Sequence, residues 1–358
     1  MNNLDKYLIF LPVCVLVKGH ERSVILDIQR AILDFLPNEV YDIYDKYNKQ
    51  KIGDVLLNYN AEEQEIVMEY IDFLQSNEYV FLGTKHDAEH IADMSLSYNF
   101  PGKITNCICE YSEFTVQNMP QILNTIDAKL GCSALQIVSD KPIPLKELEA
   151  FLENFKAITF LCHIEVVLPY LPEYNEKNVK TLLHKNFIVN RLVFYSAPFN
   201  KVENKKHTFV VYLRENFKNK QCGIVDKTYF AQNIYHITEA LHHNTCLNKK
   251  IFIDKNGTVK NCPFSEKTFG SILSGDVEQI ISSAQFTKLW NIKKDEIEVC
   301  KDCEFRYICT DCRVFLKNPK NILSQPLHCK YNPYIAKWEG EEDYVTVDEW
   351  LKTNNIKC

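Results

Sequence analysis

The chain has no apolar run long enough to cross a bilayer. The longest early run, Tyr7 to Val17, is interrupted by Pro12 and ends at Lys18, well short of the ~20 apolar residues a span requires. It also lacks the basic start and small-residue cleavage site of a secretion signal. Positive charge is not in excess either. The formal net charge of −6 argues against a nucleic-acid grip by bulk electrostatics. No internal repeat and no low-complexity tract is present. These absences point to a cytoplasmic chain with neither a membrane nor a nucleic acid as partner. In a reducing compartment, structural disulfides are not expected among the fourteen cysteines, and clustered cysteines read as metal ligands.

What is present is ordinary globular composition, 46% hydrophobic and 25% charged over 358 residues, enough for two or three domains. Residues 1–90 open with strand-like runs, Leu8 to Val17, Ser23 to Ile28 and Ala31 to Leu36. Pro37 then stands where a helix begins, and helices are expected over Asn38 to Tyr47, Ile52 to Asn58 and Ala61 to Asn77, before a strand from Tyr79 to Leu82. This reads as a small winged-helix module. Residues 100–240 alternate strands (Lys103 to Tyr111, Ala134 to Val138, His163 to Leu168, Arg191 to Tyr195, Thr208 to Leu213) with helices (Met119 to Leu130, Leu145 to Phe155, Lys177 to Lys185). Such alternation predicts βα units, hence an α/β class with a parallel sheet or partial barrel. Residues 241–338 carry most of the clustered cysteines, and an acidic tail, 339–358, is expected to end in a short helix.

The cysteine spacing is the strongest signal. Cys246 is followed by Gly257 and then Cys262. Next come Cys300-x2-Cys303-x5-Cys309-x2-Cys312, and finally Cys329. Each CxxC pair sits on a turn tight enough to aim two sulfurs at one point, and distant cysteines close the site. Ile251-Phe252-Ile253, Asp254-Lys255-Asn256-Gly257 and Thr258 to Asn261 read as a hairpin that draws Cys246 and Cys262 together. The same thiolates suit iron–sulfur clusters or zinc.

This spacing resembles the SPASM domain, the C-terminal iron–sulfur extension of many peptide-modifying radical S-adenosylmethionine enzymes. One departure is two residues, rather than the commoner three, between Cys309 and Cys312. The resemblance implies two [4Fe-4S] clusters. Cys300, Cys303, Cys309 and Cys329 would hold the outer one, and Cys246, Cys262 and Cys312 the inner one. The inner set is short of a thiolate, which Cys222, His242 or His243 would supply unless the site is open.

The stretch from 100 to 240 stands where the radical S-adenosylmethionine core of such enzymes lies, but its landmarks are missing. No CxxxCxxC occurs. The first strand offers only Cys107 and Cys109, expected on opposite faces. The Gly-Gly-Glu-Pro turn is replaced by Ser139-Asp140-Lys141-Pro142, whose lysine would oppose the cofactor's ammonium group. The resemblance therefore implies a degenerate core for which S-adenosylmethionine is not an expected cofactor. Cys14, Cys107, Cys109, Cys132, Cys162 and Cys358 read as small buried hydrophobes.

The N-terminal module is similar to the recognition element that holds leader peptides of ribosomally made natural products by strand addition. Its groove would lie between Ala31 to Phe35 and the helix from Ala61. Taken whole, through Pro12 to Gly19, Arg22 to Ile25, Asp27 to Arg30, Leu36-Pro37-Asn38, the cysteine array and Cys329 to Tyr334, the chain resembles the peptide maturases of grasp-with-SPASM systems. That resemblance implies a precursor leader peptide and an ATP-grasp ligase as partners. Catalytic residues are not identified. Three roles remain open: leader binding and core presentation with structural clusters, redox modification at an open inner cluster, or a zinc-bound scaffold for the ligase.

Overall fold

The computed structural model describes residues 3–205, 208–216 and 222–355. Cys358 lies outside the described residues. The chain forms two units. One comprises Met1–Tyr98, Gly223–Thr245 and Ile292–Cys358, and the other Asn99–Cys222 and Cys246–Asn291. The class is mixed α/β with a large, mostly parallel sheet.

In the first unit, the apolar run expected as one strand is two: β1 (Tyr7–Phe10) and β2 (Cys14–Lys18). The break falls at Leu11-Pro12-Val13, where the Cys14 N–H donates to the Leu11 carbonyl at 2.9 Å. Proline has no N–H for a ladder, so the chain leaves one sheet there and enters another. β2 pairs with β3 (Ser23–Asp27), and β3 with β4 (Ile32–Leu36), all antiparallel. After α1 (Asn38–Tyr47), β1 pairs antiparallel with β5 (Gln50–Lys51) and with β6 (Val80–Gly83). The helices α2 (Ile52–Leu56) and α3 (Ala61–Ser76) lie between β5 and β6, with Asn60 and Glu63 forming a capping box at the start of α3. The turn from β2 to β3 needs glycine, since a Cβ on Gly19 would stand 2.6 Å from the Arg22 carbonyl oxygen.

Alternation explains the unbroken apolar character of β2 and β3. Cys14, Leu16 and Ile25 join a core with Val40, Ile43, Ile71 and Leu74 of the helices. Val15, Val17, Val24 and Leu26 face the other way, into a core with Ile237, Phe305, Ile308 and Tyr331. Strands buried on both faces read as continuous hydrophobic runs. The rest of this unit has little regular structure: helices Lys85–His90 and Ile234–His242, short 3₁₀ turns, the strand pair Tyr331–Asn332 with Lys337–Trp338, and a closing helix Val347–Thr353.

The second unit is built on eight strands: β7 (Asn106–Glu110), β8 (Ala134–Val138), β9 (His163–Pro169), β10 (Val189–Tyr195), β11 (Lys201–Lys205), β12 (Thr208–Tyr212), β13 (Lys250–Ile253) and β14 (Val259–Lys260). Their order is β11-β12-β10-β9-β8-β7-β13-β14, and antiparallel pairing occurs at the two edges, β11 with β12 and β14 with β13. The segment Met119 to Leu130 is helical but changes pitch, α over Met119–Leu123 and π over Asn124–Lys129. Buried Asp127 on that π turn accepts the N–H groups of Thr159, Phe160 and Leu161 at 2.8, 2.6 and 2.7 Å.

Two expectations about cysteines are corrected here. Cys107 and Cys109 share one face of β7, and both are buried. A spacing of two is a full strand repeat, so side chains at i and i+2 line one face. Cys162 is exposed, because it sits ahead of β9 rather than in it. Cys14, Cys107, Cys109 and Cys132 are buried as expected. Among the described residues, no helix is long and apolar enough to cross a membrane.

Candidate metal centre

The four cysteines expected to share the outer cluster line one hollow. Cys300, Cys303, Cys309 and Cys329 surround it together with Lys294, and its remaining walls include Val225, Phe230, Phe305 and Trp338. Tight turns deliver the sulfurs. Cys300–Asp302 is a 3₁₀ turn in which the Cys303 N–H donates to the Cys300 carbonyl at 3.1 Å. The Cys309 N–H closes on Phe305 at 3.0 Å, and that of Cys329 on Pro326 at 3.2 Å. Just ahead of Cys300, Val299 holds φ at 67°. A β-branched residue is strained there, and the strain fixes how the chain enters the first cysteine.

Apolar walls make these thiols hard to ionise unaided. Burial pushes the Cys300 thiol up to about 12, against the lowering effect of Lys294. Burial raises Cys303 well above the ordinary range and also raises Cys309, where Lys294 again pulls the other way. A bound metal cluster would displace those protons, since thiolates and not thiols are the ligands.

Lys294 is the feature that sequence reading missed. It is 5% exposed. Its Nζ donates to Cys309 Sγ at 3.1 Å and to the Thr310 carbonyl at 2.8 Å. Burial works against its charge, but Cys309, Cys300 and Asp311 outweigh that and hold its pKa above the usual lysine range. In sequence it is one of two lysines in Lys293-Lys294-Asp295-Glu296, and nothing there marks it from a solvated surface charge.

A second buried network braces the CxxC turn. Glu304 follows Cys303 directly and is 1% exposed. It accepts from Tyr331 Oη at 2.5 Å and from Arg22 Nε at 2.9 Å. This ties the β2–β3 turn to the cysteine loop. Arg306, in the same loop, donates to the Lys18 carbonyl at 2.6 Å and to the Cys303 carbonyl at 3.0 Å.

Cys312 is buried but is not among the residues lining the hollow. Its Sγ accepts the Phe315 N–H at 3.3 Å. Beside it, Asp311 is held by Arg313 at 2.6 Å and by Asn244 at 2.5 Å. Cys246 and Cys262 belong to the second unit, where they flank the β13–β14 hairpin. The spaced glycine has a local reason there. Gly257 has φ of 77°, and a Cβ on it would lie 2.3 Å from the Phe114 ring, so only glycine turns this hairpin against that ring. Among the candidates for a further ligand, Cys222 is half-buried, and exposed His242 bonds through Nδ1 to the Thr238 carbonyl at 2.9 Å.

Four thiols around one hollow suit an iron–sulfur cluster or zinc, since both take thiolate ligands. An iron–sulfur cluster asks for thiolates spread around a larger hollow. The donor set also fits such a cluster in charge. Four thiolates around a cubane would carry net negative charge beside the buried Lys294 ammonium, whose own hydrogen bonds go to a sulfur and a carbonyl and not to a carboxylate.

Comparison with known proteins bears on the same region. None of the curated proteins matches the chain. Two crystal structures of SuiB from Streptococcus suis align with it over most of their length. The form bound to S-adenosylmethionine gives a TM-score of 0.35 at 10% identity, covering 89% of this chain and 98% of that one. The form bound to precursor peptide SuiA gives 0.31 at 9%, covering 86% and 96%. The family model of the SPASM iron–sulfur cluster-binding domain matches residues 245–304, a span that includes Cys246, Cys262, Cys300 and Cys303.

Proposed function

We propose that the chain matures a ribosomally synthesised precursor peptide, binding its leader and presenting its core to an ATP-grasp ligase, with [4Fe-4S] clusters bracing its C-terminal domain. The observation that carries the reading is the cysteine array: a SPASM match together with four thiols around one hollow. Cys300, Cys303, Cys309 and Cys329 would hold the outer cluster. A second cluster is implied by the family resemblance alone and would take the remaining thiolates of the array.

Leader binding is supported by the N-terminal module, read as winged-helix-like over residues 1–90. β4 is the last strand of its sheet, and its outer edge has no strand partner among the described residues. Ile32 and Phe35 on β4, with Ile66 and Phe73 on α3, leave large apolar side chains exposed. An extended leader could pair with the β4 backbone and cover such side chains, as strand addition does.

The residues do not fit a radical S-adenosylmethionine cluster. β7 supplies Cys107 and Cys109 buried on one face, without a third thiolate in CxxxCxxC spacing. No step is assigned to that cofactor.

The test uses the full chain, the precursor peptide and the ligase. The reading expects tight leader binding that Ile32→Asp weakens at least about tenfold, a cost of about 1.4 kcal/mol. It also expects product formation to slow when the chain is left out. Unchanged product and rate without it would leave no maturation role.

A further inference from the structure

Lys294 raises a question of charge balance that the cluster reading answers. Its ammonium is buried, and among the described residues no carboxylate comes within ion-pair distance of it. Asp311, whose charge reaches Lys294, is also held by Arg313 and Asn244. With the thiols protonated, a buried ammonium hydrogen-bonded only to a sulfur and one carbonyl has the Asp311 charge, shared with Arg313, as its main compensation. The same ammonium beside a thiolate-bound cluster is well compensated. Its Nζ meets the Sγ of Cys309 at 3.1 Å, and it lines the hollow that Cys300, Cys303 and Cys329 share.

We propose that Lys294 is the built-in counter-charge of the outer cluster, a positioning residue that orients the Cys309 thiolate and raises the cluster's reduction potential. The proposal rests on the reading that these four cysteines hold a cluster. The physical route is direct. Net charge and hydrogen bonds to the sulfurs are among the main determinants of an iron–sulfur potential. A cation inside the apolar shell, donating to a ligand sulfur, stabilises the more negative, reduced state. Groups around a metal's ligands orient them and tune the metal in this way. Lysine suits the task because its point charge reaches from a four-carbon stem lying along the apolar wall.

The experiment compares anaerobically reconstituted full chains: wild type, Lys294→Met, Lys294→Gln and Lys294→Arg. Iron and acid-labile sulfide are measured, and midpoint potentials are read by titration followed by electron paramagnetic resonance. The expected result is one midpoint moved to lower potential in the Met and Gln variants at wild-type iron content, with the Arg variant near wild type. If the neutral variants instead lose iron while Lys294→Arg keeps it, the charge is needed to hold the cluster at all, which also supports the proposal. An unmoved midpoint in Lys294→Met at full iron overturns it. So does a Lys294→Arg variant that loses iron, or shifts, as far as Lys294→Met. A wild-type chain without iron would defeat the cluster reading itself, a result distinct from failure of the lysine.

Discussion

In the eight-stranded sheet, Leu135, Ile137, Val166 and Leu192 are buried between paired strands, and ladder bonds satisfy the backbone. From Cys300 to Trp338 the chain instead runs through short turns and one two-residue strand pair. Its interior holds Glu304, Asp311 and Arg313 as well as thiols. The first region has what a sheet needs to fold unaided. The second buries charges and cysteines with few ladder bonds, an arrangement that a cluster bound at its centre would brace. Metal binding and folding are coupled in such sites.

The largest expected effect falls on that second region. Cys303→Ala should remove a ligand of the outer cluster, lower bound iron by about half if two clusters are present, and abolish hydrogen-exchange protection over residues 292–338. Amides of β7 to β10 should keep theirs. Loss of protection in the sheet as well would erase the contrast between the regions.

The converse variant is Ile137→Ala. Ile137 is fully buried in β8, so its truncation should cost about 2–5 kcal/mol. That is read as a lower denaturant midpoint, with iron content unchanged. Next comes Glu304→Ala, which strands Arg22 and Tyr331 Oη. A fully buried pair costs about 3–5 kcal/mol to break from one side. Arg22 keeps 28% of its side chain exposed, so about 2 kcal/mol is expected. The loss should appear in thermal unfolding and be undiminished by added iron. The smallest effect is Cys107→Ala, about 1 kcal/mol with iron retained. If this change empties a cluster, Cys107 is a ligand and not a buried hydrophobe.

The same contrast governs what the sequence made legible. The strand Ala134–Val138 and the helix Asn38–Tyr47 stand where periodicity and Pro37 put them, because a packed face leaves a repeat in the sequence. The edge strand Lys201–Lys205 was not legible: Lys-Val-Glu-Asn-Lys packs against β12 on one side only and carries almost no apolar signal. The two sheets made from Tyr7 to Val17 were hidden inside one apolar run. At the candidate site, Cys300 and Cys303 share a CxxC turn because turn geometry is local, whereas Cys309 and Cys329 were grouped with them only through the family resemblance, and all four line the hollow. Lys294 was not legible, because its partner is fifteen residues away and lysine in a charged run looks like surface. Glu304, held by Arg22 and Tyr331, was hidden for the same reason: its role exists only once distant segments meet.

The most direct test is the metal content of the full chain isolated without oxygen. A brown protein with several irons and matching acid-labile sulfide per chain is the predicted result. A colourless chain loaded with zinc, or one without metal whose residues 292–338 are folded, would contradict the account.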